Sequence, residues 1–333
     1  MVTYRGYKTA VQYGAETAYG TGGTPNTAIP AKISTLSIEK NNTPIRTLGL
    51  GEGRNETFVG YGNFEVTWTM EMELAGFEFL QFAFSPVGGA GTTVAPFHLE
   101  EADFTGYTGN DMRSFAMEVA SLGVPNEVET ITGCVINTVG LTLAVGETLK
   151  CSVEGFGRNS TTGTISTVYT AITTKPWIFA QGNFNYAGSN LGRVTNATIN
   201  VNNSMDAEVG RQIGSRYPEA AEFGLRKYDW VLTVKMTDTV AASLLQNFYG
   251  AAGTTSNGVA DAELVMVEVI LNLSEGLTSG RRNAQVKLSN NSITSISKPV
   301  NISDNIVELT INGQAKSGTL DGTNRPIKWW TAT

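Results

Sequence analysis

The chain has 333 residues, of which 41% are hydrophobic and 16% are charged, and its formal net charge is −7. This length is sufficient for two domains, each with its own hydrophobic core. The acidic balance argues against a protein that binds nucleic acid by neutralising phosphates, because such proteins concentrate Lys and Arg. The N-terminus has no apolar segment and no run approaches the ~20 apolar residues of a membrane span, so we expect neither export nor membrane insertion.

Charge is distributed unequally along the chain. Residues 1–165 contain 9 Lys and Arg against 17 Asp and Glu, whereas residues 166–333 contain 14 against 13. An acidic first half and a nearly neutral second half favour head-to-tail contact between unlike surfaces.

The N-terminal residues 1–30 predict an arm with one short strand that docks elsewhere, because they are rich in tyrosine and disordered tails are usually poor in aromatic residues. Two later segments, from Glu39 to Phe64 and from Asn202 to Tyr228, are predicted as loops of about 25 residues, longer than loops without a function normally are. Each is either a flexible solvated hairpin or a contact loop that becomes ordered on assembly.

Period-two alternation predicts strands on both sides of a helix candidate. Val66, Trp68, Met70 and Met72 alternate with polar residues, which predicts a strand with one buried face. Residues 77–85 (FEFLQFAFS) are the helix candidate, and residues 114–122 (SFAMEVASL) form a further strand.

A glycine-rich insertion, residues 86–111, contains the only histidine, His98, beside Glu100, Glu101 and Asp103. A metal site is conceivable there, but one histidine in such a loop is more typical of a solvated surface. The sequence contains no GxSxG or CxxC motif, and a Ser-His-Asp triad would have to use His98. We therefore predict no enzyme, no metal and no cofactor, with a hydrolase as the least expected class.

The stretch 132–157 (TGCVINTVGLTLAVGETLKCSVEGFG) predicts a hairpin. A three-residue loop, with Gly146 at the positive-φ position, would place Leu141 opposite Leu149 and Val139 opposite Cys151. In that register Cys134 and Cys151 lie on opposite faces, so we expect free thiols.

The pattern of elements occurs twice, in the order strand, long loop, strand, helix, strand, hairpin. Five segments of the first copy correspond in order to segments of the second, and we interpret this as an internal duplication. The matched segments are 35–42 with 198–203, Val66–Met72 with Trp230–Met236, 77–85 with 242–250, Glu118-Val119 with Glu268-Val269, and 132–157 with 290–313. The predicted organisation is an arm (1–30), a first domain (31–160), a linker (161–190), a second domain (191–320) and a C-terminal tail (321–333).

Four features together resemble the tail tube (major tail) proteins of long-tailed, non-contractile phages and viruses. They are the arm motif ETAYGT at residues 16–21, the long loop after the first strand, the strand-helix unit that ends in FLQFAFS at residues 79–85, and the hairpin at residues 133–157. The resemblance implies a mainly β fold with a small α component, here two tandem β-sandwich domains, each with one flanking helix and a long loop. Most members have one such domain, so two would imply rings of three chains with pseudo-sixfold symmetry.

The resemblance also implies function, partners and location. It implies a structural virion protein that polymerises into stacked rings, forming a hollow tube through which viral DNA is delivered without specific binding. The implied partners are copies of itself and the tail tip or baseplate, tape-measure and tail-terminator proteins, with no membrane. The implied location is the virion tail, after assembly in the host cytoplasm.

Four arginines in the predicted loops are candidates for contacts between stacked rings: Arg46, Arg54, Arg211 and Arg216. They would pair with carboxylates of the acidic first domain. The alternative is a tandem β-sandwich that binds a receptor or glycan at a surface, with exposed Trp68, Trp230, Trp329 and Trp330 as platforms. Period-two alternation instead places Trp68 and Trp230 in the cores.

Overall fold

The computed structural model describes residues 9–47, 58–83, 97–99, 114–121, 127–166, 169–191, 193–206, 208, 210–222, 224–236, 244, 248, 267–276, 281–298, 307–315 and 327–331. This part of the chain is mainly β-strand with a small helical component, which confirms the predicted fold class. All of its strand pairings are antiparallel. None of its helices is long and apolar enough to cross a membrane.

The strands fall into two sets along the chain. The first set is β1 Thr9–Ala15, β2 Thr27–Ala28, β3 Ala31–Thr47, β4 Phe58–Leu74, β5 Phe97–Leu99, β6 Phe115–Ser121, β7 Val128–Ala144, β8 Lys150–Gly157 and β9 Asn159–Gly163. The second set is β10 Gly182–Tyr186, β11 Ser189–Asn190, β12 Val194–Asn202, β13 Lys227–Lys235, β14 Val267–Ser274, β15 Arg282–Ser297, β16 Glu308–Ala315 and β17 Ile327–Thr331.

The strands of each set pair in the same order. In the first set the order is β3–β4–β8–β7–β6–β1, and in the second it is β12–β13–β16–β15–β14–β10. The short strands also occupy matching places, because β2 lies on β1 as β11 lies on β10, and β9 lies on β7 as β17 lies on β15. The short strand β5 of the first set pairs with β17 of the second.

The two sets are joined edge to edge. Strand β12 pairs with the C-terminal part of β7, from Asn196 opposite Ala144 to Asn202 opposite Thr138. We call this pairing the seam. It makes one eight-stranded sheet in the order β3–β4–β8–β7–β12–β13–β16–β15.

Each set is centred on a buried tryptophan that faces a glycine. Trp68 lies opposite Gly155 and Trp230 lies opposite Gly313, and the two indoles are 1% and 0% exposed. A Cβ on either glycine would come within 2.6 Å or 2.1 Å of the facing indole. The predicted burial of both tryptophans is confirmed. The pairing also corrects the alignment of the two copies by two residues, because Trp230 matches Trp68 and not Val66.

The arm motif at residues 16–21 folds around one carboxylate. Glu16 accepts hydrogen bonds from the backbone nitrogens of Gly20 (2.9 Å), Gly22 (3.1 Å) and Gly133 (2.9 Å). It also accepts one from the Ser114 hydroxyl at 2.5 Å. Together with β1, which pairs with β6, these bonds hold the predicted N-terminal arm against the first set.

The predicted hairpin register is wrong by two residues. Leu141 lies opposite Cys151, and Val139 lies opposite Val153. Gly146 has the expected positive φ of 86°, but the connection extends to Leu149 because that residue pairs elsewhere: its nitrogen donates to Trp177 and its carbonyl accepts from Leu74, each at 2.8 Å.

The predicted reason for the free thiols is also wrong. Both cysteines are free and buried in one core cluster, because a β-bulge at residue 137 inverts the alternation of β7. Cys134 lies near Gly157, about six residues or ~20 Å along the hairpin from Cys151, which is too far for a disulfide. Burial raises the pKa of both thiols, that of Cys151 to about 12.

Two further expectations, the first long loop and the first helix, are corrected by the secondary structure. The predicted loop between Glu39 and Phe64 is largely strand, because β3 and β4 continue to pair as far as Thr47 and Phe58. The predicted linker at 161–190 contains β10, and the C-terminal tail contains β17. The first helix candidate is a short 3-10 helix, Glu78–Phe82, whose apolar residues are buried. In the second candidate, the described residues Leu244 and Phe248 are helical.

Candidate assembly surfaces

The seam has an apolar side and a polar side. Its core-facing residues include Val139, Leu141 and Ile199, each 3% exposed or less. On the other side the hydroxyls of Thr142 and Thr198 lie 3.5 Å apart across the seam. The seam thus combines a backbone ladder with continuous apolar burial, as neighbouring strands within one sheet do.

Asn203, the residue after β12, fixes one end of the seam. Its side-chain amide donates to the carbonyls of Ala83 (3.0 Å) and Ile136 (2.8 Å), and it is 1% exposed. Its backbone nitrogen donates to the carbonyl of Asn137 at 2.8 Å. The Asn203 side-chain oxygen accepts from Arg226 at 2.6 Å. A buried amide with all these partners resists separation of the two sets, since unpaired buried polar groups are costly.

Arg282, at the start of β15, connects the second set to the other end of the first. It donates to the carbonyls of Ala75 (2.7 Å) and Lys175 (3.0 Å). Its guanidinium lies 4.5 Å from the ring centre of the buried Trp177. Glu275 accepts from Arg282 Nε at 3.1 Å, and hydrogen bonding by Arg282 lowers the pKa of Glu275 below its usual value.

Residues 203–226 fold back over the first set, and we call them the docking loop. Met205 and Ala221 of this loop are buried against Val135 and Phe156. At the rim, Arg158 donates to Glu219 at 2.9 Å and to the carbonyl of Pro218 at 2.9 Å. The docking loop therefore covers an apolar end of a sheet face that is otherwise polar.

Arg211 ties the docking loop to strand β4. Its side chain is 11% exposed and pairs with Glu65 at 3.3 Å and with Glu208 at 2.9 Å. Its guanidinium also donates to the carbonyls of Phe64 (3.4 Å) and Arg216 (3.2 Å). This arginine is committed to contacts within its own chain.

Arg216 makes a second connection a few residues further on. It donates to the carbonyl of Gly62 at 3.0 Å and to the Asn42 side chain at 2.5 Å, and it lies 4.9 Å from the ring centre of Tyr61. The ring of Tyr217 packs edge-on against Phe64 with centroids 5.7 Å apart. Both arginines thus hold the base of the strands that project beyond the sheet.

That projection, residues 43–47 of β3 and 58–63 of β4, is the long hairpin. It exposes large apolar side chains: Ile45, Phe58, Val59 and Tyr61 are 55%, 57%, 60% and 75% exposed. A cluster of exposed apolar side chains marks a contact surface. Arg46 lies in this hairpin, and Arg54 lies outside the described residues. The structure therefore brings Arg211 and Arg216 together at the base of the hairpin that carries Arg46.

The face of the eight-stranded sheet that points away from the core is polar and exposed. Thr138 donates to Glu154 at 3.1 Å, and Ser152 beside them is exposed. Other exposed residues on this face are Thr67, Thr69, Glu71, Asn196, Asn200, Asp229 and Glu308. Acidic and neutral groups predominate, so this face repels a polyanion.

The residues considered for other functions lie in places that do not support them. Trp68 and Trp230 are in the core and cannot serve as binding platforms. His98 lies in β5, opposite Lys328 of β17, while Glu100, Glu101 and Asp103 lie outside the described residues. Within the described residues, no group of three or more His, Cys, Asp or Glu side chains could hold a metal ion.

The sequence reasoning missed Asn203, Arg282 and the seam. The strand signal for β7 and β12 was present in their alternation, but an edge-to-edge pairing between segments some sixty residues apart has no local signature. The run of arginines in the docking loop was the available signal, and it indicated a contact without indicating the partner.

A family model described as phage tail tube protein matches residues 6–315. The chain belongs to this family. The resemblance is therefore confirmed over nearly the whole sequence, and the tail tube protein is a structural component of the virion tail that assembles with copies of itself. No curated protein matches the chain.

Proposed function

We propose that this tail tube protein forms rings of three chains, in which six pseudo-equivalent units surround a lumen, and that the rings stack into the tube that delivers viral DNA. The two units correspond to the predicted domains 31–160 and 191–320, together with the strands β1 and β10 that precede them. Their identical pairing order supports an origin by duplication.

The seam is the observation that carries this proposal. It is an edge-to-edge contact between two units, so one chain already contains the kind of contact that a ring of such units requires. Within the described residues, the eight-stranded sheet ends at an edge of β3 and an edge of β15 that make no strand pairs. Unpaired edges favour association with another chain unless they are covered, and ring closure covers both.

The polar face supports its assignment to the lumen. Lys150 and Lys227 are exposed on this face, but acidic and neutral side chains outnumber them, so the face offers the DNA backbone few cationic partners and DNA can pass without being held. The apolar side of the same sheet faces the core, which leaves the polar side available to line a channel.

The long hairpin supports stacking between rings. It extends beyond the sheet with exposed apolar residues. Arg46 lies in its first strand, and Arg54 lies in the sequence between its two strands. We propose that it contacts the acidic first unit of the next ring, while Arg211 and Arg216 hold its base and set its direction. The proposed partners at the tube ends and inside it are the tail tip or baseplate, tail-terminator and tape-measure proteins, after assembly in the host cytoplasm.

Negative-stain electron microscopy of the purified protein tests the proposal directly. We expect rings or tubes with a central channel and three chains per ring. A protein that stays monomeric at high concentration, alone and with its tail partners, would contradict it. Binding to a glycan array by such a monomer would instead favour the receptor-binding alternative.

A further inference from the structure

The seam gives a residue-level template for the contact between neighbouring chains. We infer that β3 of one chain pairs, antiparallel, with residues 295–298 of the next, in the register that β12 takes on β7. This inference rests on the proposed ring, and it adds the surface, the orientation and the pairing.

The equivalence of the strands involved is fixed by features other than sequence similarity. Trp68 opposite Gly155 matches Trp230 opposite Gly313, which aligns β4 with β13 and β8 with β16. Pairing with these strands then aligns β3 with β12 and β7 with β15.

The β-bulges provide an independent check of that alignment. Strand β3 is bulged at Ser34 and β12 at Thr195, and each hydroxyl donates to a carbonyl of the partner strand, at 3.1 Å and 3.2 Å. Strand β7 is bulged at Asn137 and β15 at Thr294. A bulge interrupts a strand pairing at one defined place, so two matched pairs of bulges fix the alignment of β3 with β12 and of β7 with β15.

The register between two chains follows when each seam residue of β12 and β7 is replaced by its equivalent in β3 and β15. At the seam, Asn202 lies opposite Thr138 and Asn200 lies opposite Gly140. The equivalent positions predict Asn41 opposite Ser295 and Glu39 opposite Ser297 of a second copy. Lys40 would then lie opposite Ile296. In the single chain Lys40 pairs with Glu129 at 2.8 Å, so its backbone is the part available to the ladder.

The burial pattern identifies these two edges as incomplete. Ile199 of β12 is 2% exposed at the seam, whereas its equivalent in β3, Ile38, is only partly buried. In the same way Val139 of β7 is 2% exposed, whereas its equivalent Ile296 is only partly buried. A second copy in this register would place Lys298 opposite Ile38 and Lys40 opposite Ile296, so the alkyl chains of the two lysines would cover the partly buried isoleucines, where the seam uses apolar residues.

The orientation distinguishes this contact from the simplest rival. Two β3 edges could pair with each other around a twofold axis, which would give a closed dimer with two β15 edges left open. Pairing β3 with β15 is heterologous and repeats around a ring. The two arrangements predict different neighbours for Asn41: Ser295 of another copy in the ring, or another β3 strand in the dimer.

Paired cysteine variants test the register in the full-length protein. N41C/S295C places thiols at predicted partners on the exposed polar face, and N41C/S297C is the matched pair shifted by two residues. T138C/N202C is the positive control, because it forms the equivalent pair within one chain. The native thiols are buried, so introduced thiols react first under mild oxidation.

After oxidation of assembled tubes, denaturing electrophoresis without reductant should show covalent oligomers for N41C/S295C. We expect roughly tenfold more cross-linked chain than for N41C/S297C, because a disulfide requires Cα atoms within about 7 Å. T138C/N202C should give a cross-linked monomer of altered mobility.

The outcomes separate the inference from the proposed function. Tubes with equal or no cross-linking of the two interchain variants would overturn the register and leave the tail tube assembly standing. A covalent dimer from N41C alone would indicate the twofold arrangement and overturn the inference. Failure of the unmodified protein to form any ring would remove the proposed function and the inference with it.

Discussion

The long hairpin and the docking loop occupy equivalent positions but have different structures. The long hairpin belongs to the connection between β3 and β4, and the docking loop belongs to the connection between β12 and β13. Strands β3 and β12 hold equivalent places in the two sets. Strands β3 and β4 remain paired to Thr47 and Phe58, whereas β12 and β13 separate after Asn202 and Lys227. The docking loop lies on the first set of its own chain, whereas the large apolar side chains of the long hairpin are exposed in the part of the chain that the structure describes.

The surfaces beneath the two segments differ accordingly. Val135 and Phe156, which the docking loop covers, are apolar, whereas the equivalent positions in the second set are Ser292 and Gln314. Asn203 is buried among first-set carbonyls, while its equivalent Asn42 is exposed. Burial and residue type change together, so the difference is encoded in the sequence of each segment and of the surface that receives it.

The largest expected effect tests how far the two sets are alike. W68A and W230A should each lower the free energy of unfolding by about 3–5 kcal/mol, because each removes a fully buried indole and leaves a cavity. The two losses should be similar, and urea unfolding followed by fluorescence and circular dichroism measures them. A large loss for one variant and a small loss for the other would show that the sets do not have equivalent cores.

Asn203 and Asn42 test the difference between the equivalent segments. N203A should cost about 2–3 kcal/mol, since it leaves the carbonyls of Ala83 and Ile136 without their buried donor. N42A should cost less, at most about 1 kcal/mol, because Asn42 is exposed and the bond that it accepts from Arg216 lies at the surface. Thermal unfolding of both variants provides the comparison. Equal losses would contradict the assignment of Asn203 as a fixed point of the seam.

Arg211 and Arg46 test the separate roles of the base and the projection. R211A should cost about 1–3 kcal/mol, because it removes the cation that pairs with Glu65 and the hydrogen bonds to the carbonyls of Phe64 and Arg216. It should also increase hydrogen exchange at residues 62–65 and in the docking loop of the monomer. R46A should leave monomer stability nearly unchanged, and combining it with R54A should slow tube formation. Unchanged exchange in R211A would remove the proposed support of the hairpin.

A smaller effect is expected from the pH dependence of the Arg282 contact. The pKa of Glu275 is lowered in the folded protein, so the carboxylate contributes stability above its unfolded pKa, and this contribution is lost as pH falls through the folded pKa. Thermal unfolding should therefore show a stability loss in the acidic range that E275Q reduces. Identical pH profiles for E275Q and the unmodified protein would show that this carboxylate contributes nothing to the attachment.

The sequence predicted the elements better than it predicted their contacts. Alternation located the strands around Trp68, Trp230 and Leu141, because period-two burial is a local property of a strand. The hairpin register failed because Leu149 pairs with Trp177, a residue far away in the chain. Residue 137 gave no sign of the bulge that places Cys134 in the core. Arg211 and Arg216 were predicted to contact an adjacent ring, which stays a prediction; their contacts with Glu65 and the carbonyl of Gly62 within the chain have no local signature.

The seam has a kinetic consequence for the proposed assembly. Because β7 and β12 belong to one chain, their contact forms without an encounter between molecules, at an effective concentration set by the connecting chain and not by the number of copies in the cell. Half of the lateral contacts in a three-chain ring would therefore be present before assembly begins. Assembly of the ring therefore needs three fewer association steps than it would with six separate units. The two units are also always made in equal amounts.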